Sequence, residues 1–300
     1  MNIKNGDPIG NGHDMPHAPG IDAKELPLYK LYWLGRQKLL LFTSQGYQEA
    51  MGYFREAVKQ DARFVLAWAA MAETYAYWGY YLEFAGHADS ARQCYEYAYQ
   101  SAERALQVSP SLAEPHRAMA LALRRGPKAD AQRRRQEARF AFEINPDDAE
   151  NCYEYWRSLG YDPDNPLIYR ALAINPCLGG AYNDLGVVLN EKHRWEEAAD
   201  CLRRAIEINP RHSLAYCNLA WALVGLGHND QAETACAKAL DINPQESRAH
   251  VILSLVYAQK KLLDRSVEEL NRAKELDPAN AAIEEGLAIL ARQRQRSVPV

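Results

Sequence analysis

The sequence predicts an all-α chain in which antiparallel helix pairs repeat along a solenoid. Three observations carry this reading. Pro176, Pro210, Pro244 and Pro278 stand 34 residues apart and close segments that end INP, INP, INP and LDP. Between those prolines, apolar residues recur at offsets of three, four and seven, the spacing of one helical face. Ala and Leu are abundant there and Gly and Pro sparse, which favours helix. A fixed period of this length marks a repeat array, in which each unit buries its apolar face only by stacking on its neighbours.

The elements follow in order. Residues 1–24 (MNIKNGDPIGNGHDMPHAPGIDAK) lack an apolar core, so a disordered tail is expected over 1–26. The first pair is LPLYKLYWLGRQKLLLF and YQEAMGYFREAVKQDARF, with Ala50, Phe54 and Ala57 on the second helix and Ala62 where later repeats have proline. The second joins VLAWAAMAETYAYWGYY, carrying Trp68, Met71, Ala72 and Tyr75, to the longer DSARQCYEYAYQSAERALQVSP, with Asp89 or Ser90 as its cap. The region 113–146 keeps Met119, Ala120, Leu123 and Ala141. Pro110 precedes Pro146 by 36 residues and Pro146 precedes Pro176 by 30, so 147–176 reads as a shortened pair with DPDNP as its turn. Three regular repeats follow. A final helix over 279–296, with Glu284, Glu285, Arg292, Gln293, Arg294, Gln295 and Arg296 solvated, caps an array of about seven pairs spanning 27–296, and 297–300 is a tail.

The regular repeats are the most informative stretch. The first, 179–212, has Tyr182, Leu185, Gly186 and Leu189 on one helix and Ala198, Leu202 and Ala205 on its partner, closed by Pro210. Tyr216, Leu219, Ala220, Leu223, Ala232, Cys236, Ala239 and Pro244 repeat the pattern. His250, Leu253, Ser254, Tyr257, Ser266, Leu270, Ala273 and Pro278 repeat it again. Gly186 and Ala198 are small, so the helix axes can approach closely; a larger side chain would overpack by about 1–3 kcal/mol. Pro210 has no N–H to continue the helix and restricts Asn209 before it, so the chain turns.

These residues closely resemble the tetratricopeptide repeat (TPR) signature, over roughly 27–296 and most strongly over 178–280. The resemblance implies a right-handed superhelix of helix pairs that binds partners rather than catalysing. Arg134 stands where the family usually has a small residue. The order of the whole chain also resembles the TPR portions of bacterial multidomain regulators, whose winged-helix, cyclase or kinase module is not legible here.

In TPR arrays the first helix of each pair lines a concave groove. The resemblance places groove-facing residues at Gly180, Asn183, Val187 and Asn190, then Leu214, Cys217, Trp221 and Val224, then Arg248, Val251, Leu255 and Ala258. The last two sets are mostly apolar, with Trp221 as the anchor. The alternative is that Trp221 and its neighbours pack within the array or against the N-terminal tail. The chaperone-tail clamp of the family would fall on Asn183, Val187, Asn218, Arg248 and Ile252, and only Asn218 and Arg248 match it. The asparagine ladder of sugar-transferase arrays would fall on Asp184, Asn218 and Ile252, and is not present.

Composition narrows the rest. A net charge of −4 gives no bulk basic field for nucleic acid or an anionic membrane. No apolar run approaches the ~18 residues of a membrane span, and the N-terminus has no signal-peptide pattern. Six cysteines, none in a CxxC pair, read as reduced packing residues of a cytoplasmic protein. No phosphate loop, dinucleotide, zinc-protease or nucleophile-elbow motif occurs, so no enzyme and no cofactor are expected. His13 and His17 read as solvated, not metal-binding. Arg133, Arg134, Arg135 and Arg139 form the most basic patch, read as a charged exposed face. The cluster Tyr75, Tyr77, Trp78, Tyr80, Tyr81 and Phe84, with Tyr95, Tyr97 and Tyr99, has two readings: core, and a second contact or self-association surface.

The expected function is a cytoplasmic scaffold that binds a peptide or helix of a partner protein in the groove. Asn183, Asn190 and Arg248 add polar register to the apolar stripe of Val187, Leu214, Cys217, Trp221, Val224, Val251 and Leu255. The alternative is a regulatory subunit controlling a separately encoded DNA-binding or signalling module.

Overall fold

The computed structural model describes residues 26–41, 43–84, 86–278, 283–284 and 286–290. His13, His17, Glu285, the cap residues from Arg292 to Arg296, and the expected tails apart from Leu26 lie outside them. Among the described residues there are fourteen helices of nine residues or more and no strand. The class is all-α, a solenoid of helix pairs, as expected. The chain divides into two compact units, 1–146 and 147–300.

The first unit holds α1 (Leu26–Leu39), α2 (Ser44–Gln60), α3 (Val65–Phe84), α4 (Ala88–Val108), α5 (Ala113–Ala122) and α6 (Ala131–Ile144). Successive helices pair as α1–α2, α3–α4 and α5–α6, and α1, α3 and α5 also touch one another in sequence. Thr43 caps α2 by accepting from the Gly46 N–H at 3.0 Å. The cap expected for α4 at Asp89 or Ser90 falls elsewhere: the helix begins at Ala88 with His87 at the N-cap. Asp89 therefore lies in the first turn, where its charge favours the positive end of the helix dipole. Phe54, Met51, Ala67, Ala72, Ala98, Ala102 and Met119 form the core. Gly35 admits Phe54: a Cβ there would come within 2.4 Å of the ring. The aromatic cluster divides between its two expected environments. Tyr75 and Tyr95 are buried, while Tyr81 and Tyr97 are exposed.

The second unit holds α7 (Ala149–Ser158), α8 (Pro166–Ile174), α9 (Gly179–Glu191), α10 (Trp195–Ile208), α11 (Ser213–Gly225), α12 (Asn229–Ile242), α13 (Ser247–Gln259) and α14 (Leu263–Leu276). The proline punctuation has a local mechanism. Asn175, Asn209 and Asn243 are C-caps with φ near −130°, −130° and −134°, outside the helical region and compatible with the proline that follows each. Each asparagine Oδ1 then accepts from the N–H two residues on, at Cys177, Arg211 and Gln245. That side-chain turn reverses the chain into the next pair. Gly186 lets α9 and α10 close up, since a Cβ there would stand 2.5 Å from Leu202 Cγ. At the C-terminal end, Ile283 and Leu290 are buried with Leu270 and Ala273. Glu284 is exposed and pairs with Lys274 at 2.6 Å.

Candidate functional site

The first helices of the second unit form a continuous layer: α9 touches α11, and α11 touches α13. A row of polar side chains crosses that layer. It begins on α7, where the buried Arg157 meets Glu154 at 3.1 Å and Asp184 of α9 at 3.5 Å. Tyr153 donates its hydroxyl to the other side of the junction, to Asp184 Oδ2 at 2.7 Å. Asn183 Nδ2 reaches Asp184 Oδ1 at 3.4 Å, and Asn218 Nδ2 of α11 donates to Asn183 Oδ1 at 3.0 Å. Arg248 of α13 completes the row by donating to Asn218 Oδ1 at 3.4 Å. One end is therefore acidic and the other cationic. Among the described residues no carboxylate lies within ion-pair reach of the exposed Arg248.

The sequence-derived groove residues fall into three groups. Trp221 is 42% exposed, a large share for tryptophan, and Asn183, Val187, Leu214, Val224 and Leu255 are half-buried. Cys217 and Asn190 are buried, at 0% and 5% exposure. Asn190 Nδ2 donates to the Asn218 carbonyl at 2.9 Å, while its Oδ1 is buried without a hydrogen-bond partner. Val251 and Ala258 pack against the cluster of Leu270, Ala273, Ile283 and Leu290. Part of the α13 stripe is thus covered by the chain's own C-terminal residues. Tyr153, Arg157, Asp184 and Asn218 belong to the row although the groove positions do not include them. In the sequence Asp184 stood out only as a mismatch to the asparagine ladder, and Asn218 only as one of the two matches to the chaperone-tail clamp. Their links to neighbours 28–35 residues away become visible once the repeats are stacked.

The chemistry on offer is non-covalent. Burial pushes the Cys236 thiol up to about 12 and the Cys217 thiol higher still, so both remain protonated packing groups rather than nucleophiles. Burial lowers His212, which sits near Asp184, and favours its neutral ring. Among the described residues no cluster of three or more His, Cys, Asp or Glu could hold a metal ion. What remains is a row of side-chain amides and one unneutralised guanidinium beside an exposed indole.

Two family models, each described as tetratricopeptide repeat, match residues 178–245 and 217–281. Residues 178–281 carry tetratricopeptide repeats. Among solved structures, the crystal structure of the APC/C hetero-tetramer Cut9-Hcn1 is similar at 13% identity and a TM-score of 0.64, over 88% of this chain and 52% of that one. The chain thus spans about half the length of that relative, and the likeness shows the fold alone. The crystal structure of MamA aligns over 52% of this chain and 93% of that one, at 24% identity and a TM-score of 0.45. The first TPR of Spaghetti (RPAP3), solved bound to HSP90 peptide SRMEEVD, aligns over 39% of this chain and 93% of that one, at 20% identity and a TM-score of 0.37. No curated protein matches the chain. The tetratricopeptide fold is generally a non-catalytic scaffold for protein interaction. Among the described residues no helix is long and apolar enough to cross a membrane.

Proposed function

We propose that this chain is a protein-interaction scaffold whose first-helix face over α9, α11 and α13 holds a peptide or helix of a partner. The observation that carries the reading is the exposed Trp221 beside the hydrogen-bonded row Asn183–Asn218–Arg248. Trp221 supplies rigid apolar area, and Val187, Leu214, Val224 and Leu255 flank it. Asn183, Asn218 and Arg248 set the register of the ligand's polar groups. Cys217, Asn190 and Val251 shape the surface from below instead of touching the ligand. The tetratricopeptide matches support a protein partner.

The test is affinity capture with wild type and Trp221→Ala in parallel, followed by titration of the recovered partner. Truncating a central aromatic anchor costs at least about 2 kcal/mol, so affinity falls roughly 30-fold while the helical circular dichroism stays intact. Equal capture by both proteins overturns the assignment of this face.

A further inference from the structure

The three most exposed large apolar side chains among the described residues share one place. They are Leu40 at 59%, Leu41 at 55% and Leu26 at 48%, and they stand at the two ends of α1. The inner side of that helix is taken up by the protein's own core. Leu28 and Leu39 are buried, and Tyr29, Leu31 and Tyr32 pack against the cluster that holds Phe54 and Phe64. Leu26, Lys30, Trp33, Leu34, Gln37 and Leu41 lie on the opposite face, at helical spacing. Leu40 extends it, since its N–H still donates to the Arg36 carbonyl at 3.2 Å. Lys30 and Gln37 are exposed, and Trp33 and Leu34 are half-buried.

The pattern of this face selects its partner. Four of its six residues are apolar, the reverse of the polar outer face that keeps a repeat array soluble. Read from either end it runs apolar, polar, apolar, apolar, polar, apolar. Such a face is its own complement when two copies lie antiparallel. With the two-fold between Trp33 and Leu34, Leu26 meets Leu41 of the second copy, Trp33 meets Leu34, and Lys30 meets Gln37. The two Lys30 ammonium groups then stand about seven residues apart along the axis, roughly 10 Å, where ordinary buffer screens them. A parallel pairing would set Lys30 against Lys30.

We propose that the outer face of α1 joins two copies of this chain in an antiparallel, two-fold symmetric dimer. α1 with Leu40 and Leu41 is roughly 24 Å long. One such helix per copy covers less than the ~800 Å² per partner of a standard interface, so the dimer is reversible and of micromolar strength. The inference does not rest on the Trp221 face, which lies in the other compact unit.

The experiment is sedimentation equilibrium of the full chain from about 1 to about 500 µM, a range that brackets a micromolar dimer. Wild type shows a reversible monomer–dimer equilibrium. Leu26→Glu combined with Leu41→Glu sets like charges against each other on both sides of the two-fold and weakens the dimer by roughly tenfold or more. Leu26→Glu combined with Leu41→Lys sets opposite charges there and keeps the dimer within about threefold of wild type. A parallel pairing would lose both variants, because each residue would face its own copy. Both changes fall on exposed side chains, so thermal melts of the two variants match wild type. The proposal is overturned if wild type stays monomeric throughout, the result expected if residues 1–25 of the same chain cover the face. It is overturned equally if both variants dimerise as wild type does, or if both lose the dimer alike.

Discussion

His116 shows how one side chain can be read for its charge. Nδ1 stands 2.7 Å from Glu137 Oε2, and Nε2 stands 2.9 Å from the Pro110 carbonyl oxygen. Both neighbours are acceptors, and only the doubly protonated ring can donate to both. The Glu137 hydrogen bond is the main cause that raises the His116 pKa above its ordinary value. A raised folded-state pKa gives stability that is complete below the unfolded value of 6.5 and fades as pH climbs through the folded one. His116→Gln is therefore expected to cost roughly 1.5–3 kcal/mol at about pH 5, the worth of a charge-assisted hydrogen bond, and clearly less at about pH 8. Urea titrations of both proteins at the two pH values check this. A gap that is constant or widens with pH would show that the imidazolium is not the stabilising form.

At the scale of elements, each unit ties its first helices together with polar groups set across an apolar stack. In the first unit the buried Glu73 of α3 binds Arg36 of α1 through one oxygen and Arg117 of α5, at 3.1 Å, through the other. Arg36 can turn towards water, but the Arg117 side chain is only 7% exposed. Glu73→Ala removes both charge-assisted contacts from the buried centre of the α1–α3–α5 stack, at a cost of about 3–5 kcal/mol. Glu73→Gln keeps an acceptor and should cost less. Equal midpoints for Glu73→Ala and wild type in urea would remove the triad from any account of stability. Neither this triad nor the Asn183–Asn218–Arg248 row was legible in the sequence, although the helices were. Asn209-Pro210 announces a helix end within a few residues, whereas Glu73 and Arg117 are 44 residues apart. Such contacts exist only after the stack has formed. The same limit explains Cys217. Repeat position alone puts it on the groove face, but α11 is flanked by both α9 and α13, so more of its circumference is interior. On α3 the apolar residues run round most of the helix, so no periodicity could sort its tyrosines into core and surface.

For the molecule as a whole, the question is how local its stability is. In a repeat array each pair draws stability from itself and its immediate neighbours, so a run of complete pairs can stand alone. The unit 147–300 begins at a natural boundary. Asp148 caps α7 by accepting from the Asn151 N–H at 2.8 Å, and Asp147 holds Arg170 of α8 at 2.9 Å. A chain of this length buries about two thirds of its unfolded surface, enough for an independent core. The fragment 147–300 is therefore expected to be helical and to melt cooperatively. The Trp221 face lies wholly within it, so capture of the Trp221-dependent partner should survive. A fragment with a random-coil spectrum would mean that these pairs are stable only in the context of the first unit.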